Sequence, residues 1–297
     1  MKQLGIWCLI IVGMLIAVPM TIVFGGGFYD ASLLANVQMM DTDGESVDQK
    51  EDEKELISAL AKMVSADEQE EVLKAYAVMI RTYRARRKTG IVSEGELSYM
   101  TQEEMKALWQ KDYDKNYKRL ENAVQATAGL VMYSNGELIE PIYHKASAGM
   151  TRDAKGIYQM EIPYLKPVAS EDGAVEEVSI LKEDLVTTLQ GIYPTIVVQP
   201  TVLEQQIQII AKDEGGYIES LQVGNSIIDG ESFRKLFKLP SACFTMSYDD
   251  TAIKFQVKGI GHGVGLSQEG AIRMAKEGSS YEQILKYYYK DIEIKNF

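Results

Sequence analysis

The stretch GIGHGVGLSQEGAIRMA, residues 259–275, is the most informative part of this 297-residue chain. It places five glycines between Gly259 and Gly270 and contains His262, one of two histidines in the chain. Glycine at every second position removes side chains from one face of a strand or loop, so that another backbone or a ligand can approach. A helical pattern follows at 266–275. We expect a strand-to-helix turn that forms a site, although a single histidine in such a loop is often only a turn residue.

The composition excludes several classes of function. A net charge of −12 disfavours a nucleic-acid partner. The glycine spacing does not indicate a dinucleotide site, because no βαβ unit follows it. The two cysteines are Cys8 and Cys243, and neither lies in a Cys/His cluster with zinc spacing. We therefore expect no metal and no cofactor.

The N-terminal residues predict a membrane anchor. Residues 6–24 are 19 uncharged, mostly apolar residues, which at about 1.5 Å per residue is just long enough to cross a bilayer. Lys2 precedes the run, and the first charge after it is Asp30. The positive-inside rule then gives a single-pass protein of the cell membrane, with residues 1–5 in the cytoplasm and the remainder outside. A cleaved signal peptide is the alternative, but the run is long and residues 24–27 are a poor cleavage site.

The next segment, residues 25–55, is predicted to be a disordered stalk. Between Asp41 and Glu55 it carries eight acidic residues against two lysines, and such a run is usually solvated. Residues 56–297 are then one extracytoplasmic domain, long enough to bury a sizeable core.

Periodicity within this domain predicts a mixture of helices and hairpins. Apolar residues recur at helical spacing in 55–88, with Asp67 as a candidate N-cap, and 101–127 has the same character, with Thr101 as its cap. Asn135-Gly136 between apolar runs predicts a hairpin over 128–143. Further helices are expected at 179–190 and at 281–289, the latter capped by Ser280, and short strands at 206–211 and 217–222. Because strands and helices do not alternate regularly, we predict an α+β fold.

Four blocks of this domain resemble the stage II sporulation protein D / LytB amidase-enhancer family. Residues 71–83 (EVLKAYAVMIRTY) are similar to the family pattern EALKAQAxxARTY, and residues 123–132 (AVQATAGLVM) to AVxATxGxVL. Residues 143–151 (YHKASAGMT) are similar to YHSTSGGxT, and residues 259–275 to GxGHGVGMSQxGAxxMA. The blocks occur in the family's order, and the last is highly specific.

The resemblance implies a peptidoglycan substrate and a role in sporulation, during engulfment. Members of the sporulation branch are similar to lytic transglycosylases, which break the MurNAc–GlcNAc bond without water. One carboxylic acid protonates the glycosidic oxygen and then, as a base, helps the sugar's own 6-hydroxyl to close a 1,6-anhydro ring. Such a residue needs a pKa raised toward neutrality by a partly apolar pocket.

The sequence departs from the family where the catalytic glutamate is expected. The family has this residue in a Glu-Met-Pro-Ala-like stretch, and counting back from Glu71 without gaps reaches Met63. A methionine cannot protonate an oxygen. A gap could bring Glu68 or Glu71 to the site, although both are also explained as acids in the first turn of a helix. The family's glutamine is likewise replaced, by Tyr76.

Further candidates for substrate binding fall in or near the four blocks. Each also has an ordinary structural explanation, such as helix capping for Ser267 and Gln268 or pairing with the helix dipole for Arg81. The two histidines lie in blocks far apart in sequence, which suggests a common cleft. The substrate-binding candidates are Arg81, Tyr83, His144, Ser147, His262, Ser267 and Gln268.

Two functions therefore stay open. One is a membrane-anchored, lytic transglycosylase-like enzyme that cleaves glycan strands. The other is a catalytically impaired glycan-binding or amidase-enhancer module in a wall-remodelling complex. Either would have membrane-bound wall-remodelling partners, and the absence of the expected glutamate is what divides the two.

Overall fold

The computed structural model describes residues 47–91 and 96–297, with side chains from residue 52 onward. The chain divides into two compact units, 1–54 and 55–297. Only residues 47–54 of the first unit are described, and they are helical. The predicted anchor, residues 6–24, lies outside the described residues, and among the described residues no helix is long and apolar enough to span a bilayer.

The helices of the described chain are short except for the first two. Their bounds are α1 Val47–Met63, α2 Glu70–Lys88, α3 Gln102–Trp109, α4 Tyr113–Ala126, α5 Lys155–Tyr158, α6 Lys182–Ile192, α7 Leu203–Gln206, α8 Gly230–Leu236, α9 Gln268–Lys276 and α10 Tyr281–Tyr288.

The strands form several small sheets rather than one large one. Their bounds are β1 Leu130–Ser134, β2 Glu137–Leu138, β3 Tyr143–His144, β4 Ala148–Met150, β5 Ala169–Glu171, β6 Val175–Leu181, β7 Ile207–Lys212, β8 Ile218–Val223, β9 Ser226–Asp229, β10 Phe244–Tyr248, β11 Ala252–Lys258, β12 Leu266–Ser267 and β13 Glu293–Asn296. The antiparallel sheets have the orders β13-β1-β2, β10-β11-β6, β7-β8-β9 and β4-β5, whereas β12 pairs with β3 in parallel. The predicted α+β class is confirmed.

Helix α2 is the centre of the larger hydrophobic core. The sequence predicts one apolar face that includes Leu73, Tyr76 and Ile80, and all three are buried. Val78 and Met79 on other faces are buried as well, because α4, β1, α9 and α10 all contact this helix. The helix is therefore enclosed rather than amphipathic, and it fixes the positions of the elements around it.

A second hydrophobic core belongs to the segment between β6 and β11. Aromatic rings of Phe233, Phe244 and Phe255 pack together there, with centroid separations of 5.4 to 6.1 Å. The two sheets that contain β6 to β11 close around these rings. The glycine-rich stretch starts directly after β11, so this segment sets where the stretch begins.

The capping and turn predictions are largely confirmed. Thr101 and Ser280 each begin a helix with a reciprocal capping box, and Asn135 and Gly136 adopt the positive φ values of 51° and 82° that a tight hairpin turn needs. The predicted cap of α2 was wrong. Asp67 is not the N-cap of this helix, because the helix begins at Glu70 after Gln69.

The predicted stalk is also too long. Residues 47–55 are helical in α1, so the acidic composition there does not prevent regular structure.

We predict that Gly265→Ala costs far more stability than Gly278→Ala. Both glycines have positive φ, 75° and 95°, so either alanine is strained by roughly 1–2 kcal/mol. A Cβ on Gly265 would lie 2.0 Å from the carbonyl oxygen of Ile142, whereas one on Gly278 meets nothing within 4 Å. Chemical denaturation should give a loss of roughly 3 kcal/mol or more at position 265. Equal losses in the two variants would contradict this account of the loop.

Candidate functional site

The glycine-rich stretch packs directly against the segment 142–148. The amide of Leu266 donates to the carbonyl of Ile142 (3.0 Å), and Ala146 and Ile260 exchange two backbone hydrogen bonds of 3.0 and 2.7 Å. A Cβ on Gly261 would lie 2.9 Å from the Cβ of His144. The missing side chains thus allow two backbones to meet, as the spacing of glycines predicts.

This contact brings the two histidines together, as their positions in separate blocks suggest. Their ring centroids are 5.8 Å apart. His144 is buried, with 4% of its surface exposed. Its Nδ1 lies 3.1 Å from the carbonyl of Val264 and its Nε2 lies 2.7 Å from the hydroxyl of Ser147. Since a carbonyl only accepts, we assign the proton to Nδ1, and Nε2 then accepts from Ser147.

His262 has a different environment. Its Nδ1 accepts a hydrogen bond from the amide of Val264 at 3.1 Å, so the ring proton is on Nε2. Burial lowers the pKa of His262 to about 4. Burial, and then the neighbouring His262, lower the pKa of His144 to about 3. Both rings are therefore neutral at pH 7.

An open cleft of about 710 Å³ lies beside His262. Its wall includes the glycine-rich stretch through His262 and Gln268, the end of α1, and part of α2. This cavity is called the cleft below. The residues that line it are Lys62, Met63, Met79, Ile80, Tyr83, Glu96, Leu97, Ser98, Glu140, Pro141, Ile142, Tyr143, Tyr158, His262 and Gln268.

A second cavity of about 570 Å³ adjoins the cleft. It shares Glu140, Ile142 and Tyr158 with the cleft and continues to Arg86 and Met160. The shared residues make the two cavities neighbours along one surface. Such a groove suits an extended ligand better than a compact one.

Met63 lies on the wall of the cleft, as the ungapped count from Glu71 predicts. Its carbonyl accepts a hydrogen bond from the Gln268 side chain at 3.3 Å, which links the end of α1 to the start of α9. The position that the resemblance matches to the family's glutamate therefore lines the same cavity as His262 and Gln268, and it carries a thioether.

The two proposed catalytic glutamates lie outside the residues that line the cleft. Glu71 accepts hydrogen bonds from the amide of Tyr281 at 2.7 Å and from Lys74 at 2.9 Å. Burial alone would raise its pKa, but these bonds lower it, which is the wrong direction for a general acid at neutral pH. Glu68 is half-buried at the turn before α2, where its carbonyl accepts from Arg119.

The substrate-binding candidates fall into two groups. Tyr83, His262 and Gln268 line the cleft. The other four do not. The guanidinium of Arg81 donates to the carbonyls of Val124 (3.1 Å) and Thr127 (2.5 Å) at the end of α4, so it serves as a cap. His144, Ser147 and Ser267 are buried behind the cleft wall.

Asp172 holds these buried groups in place. Its carboxylate accepts from the amide of Ser147 at 2.6 Å, from the hydroxyl of Ser267 at 2.5 Å and from the hydroxyl of Ser170 at 3.0 Å. Ser267 also caps α9, accepting from Gly270 at 3.3 Å. These bonds fix the start of α9 relative to β4, and with it Gln268.

Sequence reasoning missed several residues of the cleft. Glu96 and Ser98 follow the undescribed residues 92–95, where no periodic pattern points to a site. Glu140 precedes the block at 143–151 and Tyr143 begins it, so a carboxylate and an aromatic residue at the start of a family block were the available signal. No group of three or more metal-ligating residues occurs in the described part of the chain.

Comparison with known proteins finds similar chains among sporulation proteins. A family profile described as "Stage II sporulation protein" matches residues 41–133. "Stage II sporulation protein D" of Bacillus amyloliquefaciens is 29% identical, covering 87% of this chain and 78% of the relative. Its Bacillus subtilis counterpart is 28% identical over 85% and 77%.

The chain is similar over most of its length to proteins of the stage II sporulation protein D / LytB amidase-enhancer family. A protein named "Amidase enhancer", also from Bacillus subtilis, is 24% identical, covering 76% of this chain and 38% of the relative. In this chain the glycine-rich block and the block at 143–151 are in direct contact, and they form one wall of the cleft and the buried layer behind it.

We predict that the buried histidines make the protein sensitive to acid. In the unfolded chain a histidine titrates near 6.5, whereas His144 does so near 3 and His262 near 4 in the fold. The unfolded state binds more protons below pH 6.5, so stability is complete above that pH and declines as the pH falls toward 4. From pH 7 to pH 5, His144 should account for a loss of roughly 2 kcal/mol in the free energy of unfolding.

The matched variant is His144→Asn, whose side-chain amide can still donate to Val264. Urea denaturation at pH 7 and pH 5 should show a smaller loss for the variant than for the wild type. If both proteins lose the same amount, the ring of His144 is not the acid-sensitive group.

Proposed function

We propose that this protein is a cell-wall protein of sporulation that binds peptidoglycan glycan strands in the cleft and cleaves them as a lytic transglycosylase does. The observation that supports this most is the cleft itself, whose wall is formed by the most specific block of the family. Relatives named for sporulation and for amidase enhancement support a role at the cell wall.

The chemistry of the cleft suits a polysaccharide. Tyr143 and Tyr158 present partly exposed rings, and such rings pack against the apolar faces of sugars. Neutral donors and acceptors on Gln268 and Ser98, together with the neutral ring of His262, match sugar hydroxyls. The adjoining cavity lengthens the groove, as an internal segment of a strand requires.

A second candidate function rests on Met63. A cleft with a thioether where the family has its acid could bind strands without cutting them. Such a protein would act as a glycan-binding module that assists wall-remodelling partners.

We also propose that residues 6–24 anchor the chain in the cell membrane with the domain outside. The support is the uncharged apolar run and the single lysine before it. Cell fractionation should recover the undigested protein in the membrane fraction. Protease added to intact cells should digest the domain. A protein recovered in the soluble fraction, or protected from protease, would contradict this arrangement.

We predict that the full-length chain converts peptide-free glycan strands into fragments that end in 1,6-anhydro-muramyl groups, detected by mass spectrometry. Tyr143→Ala should weaken strand binding by about 3- to 10-fold, as expected for one lost aromatic contact. The control is Tyr99→Ala, since Tyr99 is comparably exposed, at 44% against 39%, but does not line the cleft.

The outcomes separate the two candidates. Binding without anhydro products in the wild type, with cleavage appearing in Met63→Glu, would establish the impaired, glycan-binding function. Neither binding nor cleavage would refute the assignment of the cleft to glycan.

A further inference from the structure

The cleft lacks an acid at Met63, yet it contains two carboxylates elsewhere. Glu96 and Glu140 both line it. They also lie near one phenol, that of Tyr83. Burial raises the pKa of Tyr83 most, Arg87 lowers it, and the charges of Glu140 and Glu96 raise it again. Glu96, Glu140 and Tyr83 therefore share one cleft.

Glu140 is held in an ion pair. Its Oε2 lies 2.8 Å from the guanidinium of Arg86, and both side chains are 13% exposed. Arg86 also donates to the carbonyl of Leu138 at 2.6 Å, so the cation is fixed in place. A poorly solvated carboxylate beside a fixed guanidinium remains ionised. Glu140 is thus engaged by a fixed cation, which makes it a poor proton donor.

Glu96 has no such constraint. It is exposed to the cleft, and among the described residues no cation or hydrogen-bond donor pairs with its carboxylate. A strand that fills the cleft would displace the water around this carboxylate and place it against the sugar. The lining residues Leu97 and Met63 are apolar, so they would help to exclude water from the filled cleft.

Two further acids, on helices that border the cleft, are bound to other groups. Glu71 bonds to Tyr281 and Lys74, and Glu269 forms an ion pair with Lys145 at 2.7 Å. Neither lines the cleft.

We propose that Glu96 is the acid/base of this protein, taking the place of the carboxylate absent at Met63. This inference rests on the proposed cleavage of glycan strands. The protonated Glu96 gives its proton to the glycosidic oxygen as the bond from that oxygen to C1 of the muramyl sugar breaks. The carboxylate then takes the proton of the same sugar's 6-hydroxyl while O6 bonds to C1.

This step balances without water or a second reactant. One strand ends in a new 4-hydroxyl, the other ends in a 1,6-anhydro ring, and Glu96 is protonated again. The fixed charge of Glu140 would stabilise positive charge that develops at C1.

The test compares Glu96→Gln with the wild type in the full-length chain, using peptide-free glycan strands and counting anhydro-muramyl ends. We expect cleavage to fall by about 100-fold or more, with strand binding unchanged within about 3-fold. The wild-type rate should fall at alkaline pH because the acid loses its proton, and the residual activity of Glu96→Gln should lack this fall. Glu103→Gln, an exposed glutamate outside the cleft, is the matched control and should cleave normally.

The failures are distinguishable. A wild type that cleaves, with Glu96→Gln equally active, overturns the role of Glu96 and leaves the proposed function standing. Loss of cleavage and of the alkaline limb in Glu140→Gln alone would move the acid to Glu140 and also overturn it. A wild type that never yields anhydro ends overturns the cleavage function itself, and this inference with it.

Discussion

The close contact between the glycine-rich stretch and the segment 142–148 is the constraint on which the site depends. Strands β3 and β12 pair in parallel over two residues only, and the bridge between Ala146 and Ile260 extends the contact. Such a short pairing needs the backbones to approach without side chains between them. Gly261 and Gly265 make that approach possible, since a Cβ on either would collide with residues of the other segment.

The consequences of this contact reach both the core and the cleft. It buries His144 and places the ring of His262 at the cleft. It also sets the start of α9, where Asp172 ties Ser147 and Ser267 together. Arg152 secures the far end of the stretch: its amide donates to Gly263 at 2.7 Å, and its guanidinium, paired with Asp213 at 2.7 Å, lies over Tyr217. The wall of the cleft that carries His262 and Gln268 is therefore held in place and uncharged. The acids Glu96 and Glu140 line other parts of the cleft.

The sequence was sufficient where local chemistry decides the structure. The caps at Thr101 and Ser280, the turn at Asn135-Gly136 and the helix α2 follow from interactions within a few residues, and they were predicted. Rare polar residues in two blocks suggested a common cleft for the two histidines; their rings do lie side by side, but only His262 lines the cleft. The cleft carboxylates could not be predicted in this way, because Glu96 and Glu140 come together only through the packing of segments 44 residues apart. The same holds for Arg81, whose role as a cap of α4 depends on where that helix ends.

The proposed function requires that glycan strands lie in the cleft against His262, Gln268 and Met63. A crystal structure of the full-length chain with a peptide-free glycan tetrasaccharide would show the binding surface itself. We expect sugar rings within contact distance of Tyr143 and His262, with a glycosidic oxygen within hydrogen-bond reach of a cleft carboxylate. Sugar bound on another surface, with the cleft filled by water alone, would contradict it.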